Sequence, residues 1–145
     1  MKARLCILGL LAVASLLLAP ARAASAVALG TNGHWATCHF GNQPLAVVEK
    51  RAIESCRLAG GINPRVIASS ASPGYAAVAY SRARTTSATD ATGARGTSAW
   101  AIGCAFGAPT QNGANRQAIE NCRKHGGTKP EVRSTWLDAA QGFRL

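Results

Sequence analysis

The sequence predicts an α+β fold in which two tandem ββαβ repeats form one disulfide-stapled domain, an antiparallel sheet carrying two helices on one face. Three observations predict it. Ala52-Ile53-Glu54-Ser55-Cys56-Arg57, followed by Gly60-Gly61 and Pro64, returns as Ala118-Ile119-Glu120-Asn121-Cys122-Arg123, followed by Gly126-Gly127 and Pro130. Short apolar stretches of strand character flank both segments. Cys38 and Cys56, like Cys104 and Cys122, stand 18 positions apart.

The N-terminus bounds the domain. Lys2 and Arg4 precede an apolar run from Leu5 to Ala19, and Ala21-Arg22-Ala23 supplies a small-x-small cleavage pattern, so residues 1–23 read as a secretory signal peptide. The run falls short of the roughly 20 residues of a spanning helix, and no transmembrane segment is expected after cleavage. The chain is then secreted or periplasmic. Residues 24–145 suffice for one domain, with repeats at about 26–72 and 75–140. Export removes three cations and lowers the formal charge from +10 to +7. That balance suits an anionic envelope polymer or an acidic protein, without specifying either. An even number of cysteines in such a chain reads as a disulfide framework; four cysteines allow three connectivities, and the repeat favours Cys38 with Cys56 and Cys104 with Cys122.

In chain order, Ala26 to Leu29 and His34 to Phe40 flank Asn32-Gly33, a dipeptide suited to a tight hairpin turn. Ala36, Cys38 and Phe40 alternate onto one face, expected to be the core face, with Trp35, Thr37 and His39 opposite. Leu45, Val48, Ala52 and Cys56 line one side of a helix over 45–58. Gly60-Gly61 fits its C-cap, and Pro64 stops it. A disulfide from this helix to the strand would close a loop worth roughly 3 kcal/mol. Arg65 to Ser70 is the next strand.

Ala77 to Tyr80 then matches Ala26 to Leu29 at an offset of 51, whereas helices and cysteines match at 66. The second copy therefore carries a 15-residue insertion in its hairpin, the basic loop at 82–97. Trp100 to Phe106 is a strand with Trp100, Ile102, Cys104 and Phe106 on one face. A helix over about 112–125 turns Ala114, Ala118, Ile119 and Cys122 inward, although Asn112-Gly113 and Asn115 weaken its first turn. Glu131 to Leu137 closes the unit, and Gly142 to Leu145 reads as an edge strand.

This pattern of a small-residue strand, a Trp-Ala strand, an alanine-spaced helix with a cysteine near its end, Gly-Gly and a short strand resembles the small secreted bacterial proteins grouped as domain of unknown function 4189. The resemblance spans most of the chain after residue 23. It implies export and a compact α+β fold, and it carries over no catalytic residue.

No catalytic constellation emerges. Cys38 and His39 are adjacent on a strand and so point to opposite faces. Glu54 with Arg57 and Glu120 with Arg123 read as surface ion pairs on helices. No metal or cofactor is expected, because His34, His39 and His125 lack the close Cys/His pairing of structural zinc, and no recognised nucleic-acid module is present. Trp35, Tyr75, Tyr80, Trp100 and Trp136 are candidates for an aromatic platform assisted by Arg65 or Arg133. The loop with Arg82, Arg84 and Arg95 is the foremost candidate contact, since the two copies differ most there. The binding residues expected are thus Arg82, Arg84, Arg95, Trp35 and Trp100. They suit a non-catalytic exported binding module, the alternative being a secreted inhibitor, immunity or effector protein directed at one protein partner.

Overall fold

Period-two alternation makes the strands, and apolar spacing of three and four makes the helices. The computed structural model describes residues 23–83 and 100–139. In it β1 (Ser25–Leu29), β2 (Trp35–His39), α1 (Leu45–Leu58) and β3 (Arg65–Ser70) precede β4 (Gly74–Arg82), β5 (Trp100–Ala108), α2 (Gln111–Lys124) and β6 (Glu131–Asp138). The strands form two antiparallel three-stranded sheets, ordered β2-β1-β3 and β5-β4-β6. In each, a hairpin partner and the strand that returns after the helix flank a central strand.

Local chemistry sets the boundaries. In the β1–β2 turn, Gly33 has φ +85° and donates its N–H to the Gly30 carbonyl at 3.0 Å. Glycine takes this left-handed conformation without steric cost. The Asn32 side chain reaches across instead, donating to the Gly60 carbonyl at 2.8 Å and accepting from the Ile62 N–H at 3.0 Å. It ties the hairpin turn to the end of α1, where Gly60 itself has φ +89°. The weak first turn of α2 is offset by Thr110, whose hydroxyl accepts the Gly113 N–H at 3.1 Å as an N-cap.

Each helix covers the alanine face of one sheet. Val48, Ala52 and Cys56 of α1 pack on Ala26 and Ala28, while Ala114, Ala118 and Cys122 of α2 pack on Ala77, Ala79 and Ala105. The remaining faces of the two sheets meet over Val27, Leu29, Ile67, Val78, Ile102 and Trp136. The layers therefore run helix, sheet, sheet, helix. One sheet with both helices on one face is thereby corrected. β1 and β4 are apolar on both faces, so each sheet needs two covers, and with one helix apiece the second cover is the other sheet. Val27, Val48 and Val78 are completely buried, each side chain contributing roughly 1.5–3 kcal/mol.

The disulfide expectation is also corrected: Cys38, Cys56, Cys104 and Cys122 are all buried free thiols. Trp35-Ala36 corresponds to Trp100-Ala101 at an offset of 65, one less than the cysteine offset. Ala36 and Cys38 lie beneath α1. Their counterparts beneath α2 are Ala101 and Gly103, so Cys104 turns to the seam between the sheets. Cys122 lies under α2, on the opposite face, and donates its thiol to the Ala101 carbonyl at 3.3 Å. Cys38 and Cys56 share one cluster, but the Cys56 thiol is turned to the His34 carbonyl at 3.3 Å.

Phe40 lies past the end of β2 and is 39% exposed rather than inward, with the Arg51 guanidinium 4.9 Å from its ring centre. The 82–97 loop beyond Ala83 and the edge strand expected at 142–145 lie outside the described residues.

Candidate functional site

At one end of the seam, alternation along β4 places Tyr80 on the face shared with Val78, toward the first sheet. The β1–β2 turn lies across from it, and the Tyr80 hydroxyl donates to the Gly33 carbonyl at 3.3 Å. Trp35 and Tyr80 have ring centres 6.3 Å apart, tilted by 32°, and Tyr80 stacks on Trp100 at 5.0 Å and 17°. Arg82, the register partner of Trp100, holds its guanidinium 5.0 Å from the centre of that indole. Trp35, Tyr80, Trp100 and Arg82 therefore form a ladder across the seam. Gly33 makes room for it: a Cβ there would lie 2.4 Å from Trp100 Cδ1.

A groove of about 440 Å³ runs along this ladder between Asn32, His34 and Arg133. A second recess of about 300 Å³ adjoins it, sharing Tyr80, Trp100 and Arg133 and adding Arg82, Lys129 and Glu131. Arg133 comes from a bulge. The β4–β6 register shifts between Val78 and Ala79 and leaves Arg133 unpaired in the ladder, as the β1–β3 register shifts between Val27 and Ala28 and leaves out Ile67. Ile67 is buried in the seam, whereas Arg133 is exposed and pairs with Glu131 at 3.1 Å. Bulges re-aim a side chain, and this one aims a cation at the groove.

Two positive charges thus bear on one phenol. Burial pushes the Tyr80 hydroxyl above its usual pKa, and Arg133 and Arg82 pull against that rise. Trp100 is contacted by both Tyr80 and Arg82, so a ligand meets the ladder at its ring edges and at its cationic end. An exposed cation–π contact is worth about 0.5–1 kcal/mol. Arg82 can therefore leave the indole for a carboxylate, sulfate or phosphate at little cost, baring a stacking face as it does so.

Of the residues expected from the sequence, Trp35, Trp100 and Arg82 come together here, and Arg84 and Arg95 lie outside the described residues. Tyr80 and Arg133 join them. Tyr75 sits at the other end of β4. Trp136 is buried, stacks with His39 at 5.3 Å and donates its indole N–H to Ser25 at 2.9 Å. Cys38 packs under α1 while His39 stacks on the opposite side, so the two make no pair. Glu54 and Glu120 ride on helices separated by both sheets; Glu120 pairs with Lys124 at 3.1 Å rather than with Arg123. Among the described residues, no three of His, Cys, Asp and Glu are placed to hold a metal ion, and no helix is long and apolar enough to cross a membrane. Asn32 and His34 line the groove, and Lys129 the adjoining recess, without having been singled out for it. Their signal was position alone, beside the turn glycine and after the second Gly-Gly. The chain matches no family model, no curated protein and no solved structure.

Proposed function

We propose that this chain is an exported, non-catalytic binding module of the cell envelope or extracellular space, built from two copies of one ββαβ unit, and that its groove takes a segment of an anionic polymer. The observation that carries the reading is the ladder Trp35–Tyr80–Trp100–Arg82 with Arg133 beside it. Aromatic edges and faces suit the rings of a polymer's repeating units, and the two guanidiniums suit its acidic groups, to which arginine donates in a planar fork. The net positive charge and the leader-like residues 1–23 support an exported partner of opposite charge.

The test is salt-gradient elution from an immobilised acidic polysaccharide. Arg82→Ala and Arg133→Ala should each elute at lower salt than the parent, and Arg84→Ala with Arg95→Ala measures what the 82–97 loop adds. Unchanged elution of the first two variants would remove the groove from the reading.

A second reading is a secreted inhibitor, immunity or effector protein with one protein partner. Leu58 and Ile62, 87% and 56% exposed at the end of α1, favour it. Lys124 and Thr128 stand at the corresponding positions of the second half. A stoichiometric partner that stays bound in high salt and is lost on Leu58→Lys would select this reading.

A further inference from the structure

At the far end of β4 from the groove lies a smaller pocket of about 230 Å³, walled by Pro73, Tyr75, Ala108, Pro109, Leu137 and Ala139 of the second sheet and its turns, with Tyr75 and Ala108 on the face that α2 covers. Asp138, only 4% exposed, also lines it. Its Oδ2 accepts the Ser25 hydroxyl at 2.5 Å, and Ser25 in turn accepts the Trp136 indole N–H at 2.9 Å. Among the described residues this hydroxyl is the one hydrogen-bond donor to the carboxylate, and no cation pairs with it. A carboxylate offers about four lone-pair sites, and a buried one is costly unless it is paired.

We propose that this pocket is a second binding site, for an alkylammonium ion whose charge meets the open Asp138 oxygen. The apolar walls match an alkyl chain, and the volume is below that of ordinary drug-sized sites, so the ligand is small. Ser25 already holds Oδ2. A guanidinium fork needs both carboxylate oxygens, whereas an ammonium is a compact point charge that needs one. The site is chemically opposite to the basic groove and does not depend on it.

The probe is n-butylammonium, with n-butanol as the neutral analogue, read from backbone amide shifts of the protein in solution. Butylammonium should shift the amides of Gly74, Ala108 and Ala139 in a saturable way, and butanol at equal concentration should not. Asp138→Asn should abolish the effect. Because that change touches a buried bond, Ala139→Trp serves as a second variant: it obstructs the pocket from an exposed position and should also abolish the shifts. Nα-acetyl-lysine amide distinguishes the sources, binding more tightly than butylammonium for a protein lysine and no more tightly for a free amine. Equal shifts with butanol, no saturable shift with butylammonium, or full binding by Ala139→Trp would overturn the assignment.

Discussion

Cys104 and Cys122 lie on opposite faces of the second sheet, although they stand the same 18 positions apart as Cys38 and Cys56. Peptide mapping after alkylation in denaturant should therefore recover all four as thiols. In the native protein they should react slowly, because burial raises the pKa of each, to about 12 for Cys104 and about 11 for Cys122. A recovered Cys104–Cys122 bridge would contradict the strand register.

The same burial predicts an alkaline loss of stability. A thiol whose folded pKa is raised favours the folded state fully below its unfolded value of 9.0, and that contribution is lost as pH rises through the folded value. The window for Cys104 is thus from pH 9 to about 12, with a full amplitude of roughly 4 kcal/mol. Urea midpoints measured across that window should fall less steeply for Cys104→Ala than for the parent.

Much of the element order was legible in the sequence, and the disulfide reading failed at a single residue. Ala26 to Leu29 and Ala77 to Tyr80 correspond in facing as well as in sequence: Val27 and Val78 point to the seam, Ala28 and Ala79 to the helices. The helices likewise bury matching positions. Comparison of the cysteines suggested an offset of 66 where the β5 strand keeps 65, and in a strand one residue exchanges faces. The layering was hidden because alternation shows that a face is apolar without showing what covers it. The groove was hidden in part for the same reason. Trp35 and Trp100 could be nominated, but their meeting depends on which sheet faces pack together. Asp138 drew no notice, since a lone carboxylate near a strand end signals nothing until its burial is seen.

Gly103 and Gly126 should respond to alanine for different reasons. A Cβ at Gly103 would lie 2.1 Å from the Cys122 nitrogen and 2.2 Å from the Ala118 carbonyl oxygen, so α2 would have to lift from the sheet. Overpacking of this kind costs roughly 1–3 kcal/mol, and here it meets backbone that cannot rotate away. At Gly126 there is space, nothing lying within 4 Å, but φ is +89°. A left-handed residue with a side chain costs roughly 1–2 kcal/mol. Denaturation should show Gly103→Ala as the more damaging change, with α2 packing lost first in hydrogen exchange.

Tyr80 offers a spectroscopic view of the groove. Burial raises its pKa while Arg133 and Arg82 favour the phenolate, so removing either cation should raise the pKa further. Ultraviolet titration of Arg133→Ala and Arg82→Ala, with Tyr80→Phe identifying the signal, should show that direction. A polyanion in the groove, by neutralising the same charges, should shift the parent the same way. A fall in the Tyr80 pKa on adding the polyanion would place its binding elsewhere.

Ser25 joins the two sheets through polar groups at the end of the seam away from the Tyr80–Gly33 hydrogen bond. Its hydroxyl donates to Asp138 and accepts from Trp136, both on β6 and both buried. Ser25→Ala removes one oxygen and strands two groups, and an unsatisfied buried partner costs roughly 1–3 kcal/mol, more when it is charged. Trp136→Phe removes the indole donor and leaves the serine–aspartate bond, so it should cost mainly packing. The double variant should then be less destabilised than the sum of the two, by about 0.5 kcal/mol or more, because the indole N–H stranded by the serine change is no longer there. Strict additivity in urea denaturation would mean that the three groups do not act as one network. Ser25, Asp138 and Trp136 would then contribute to the seam separately, beside the packing of its valines, isoleucines and aromatic rings.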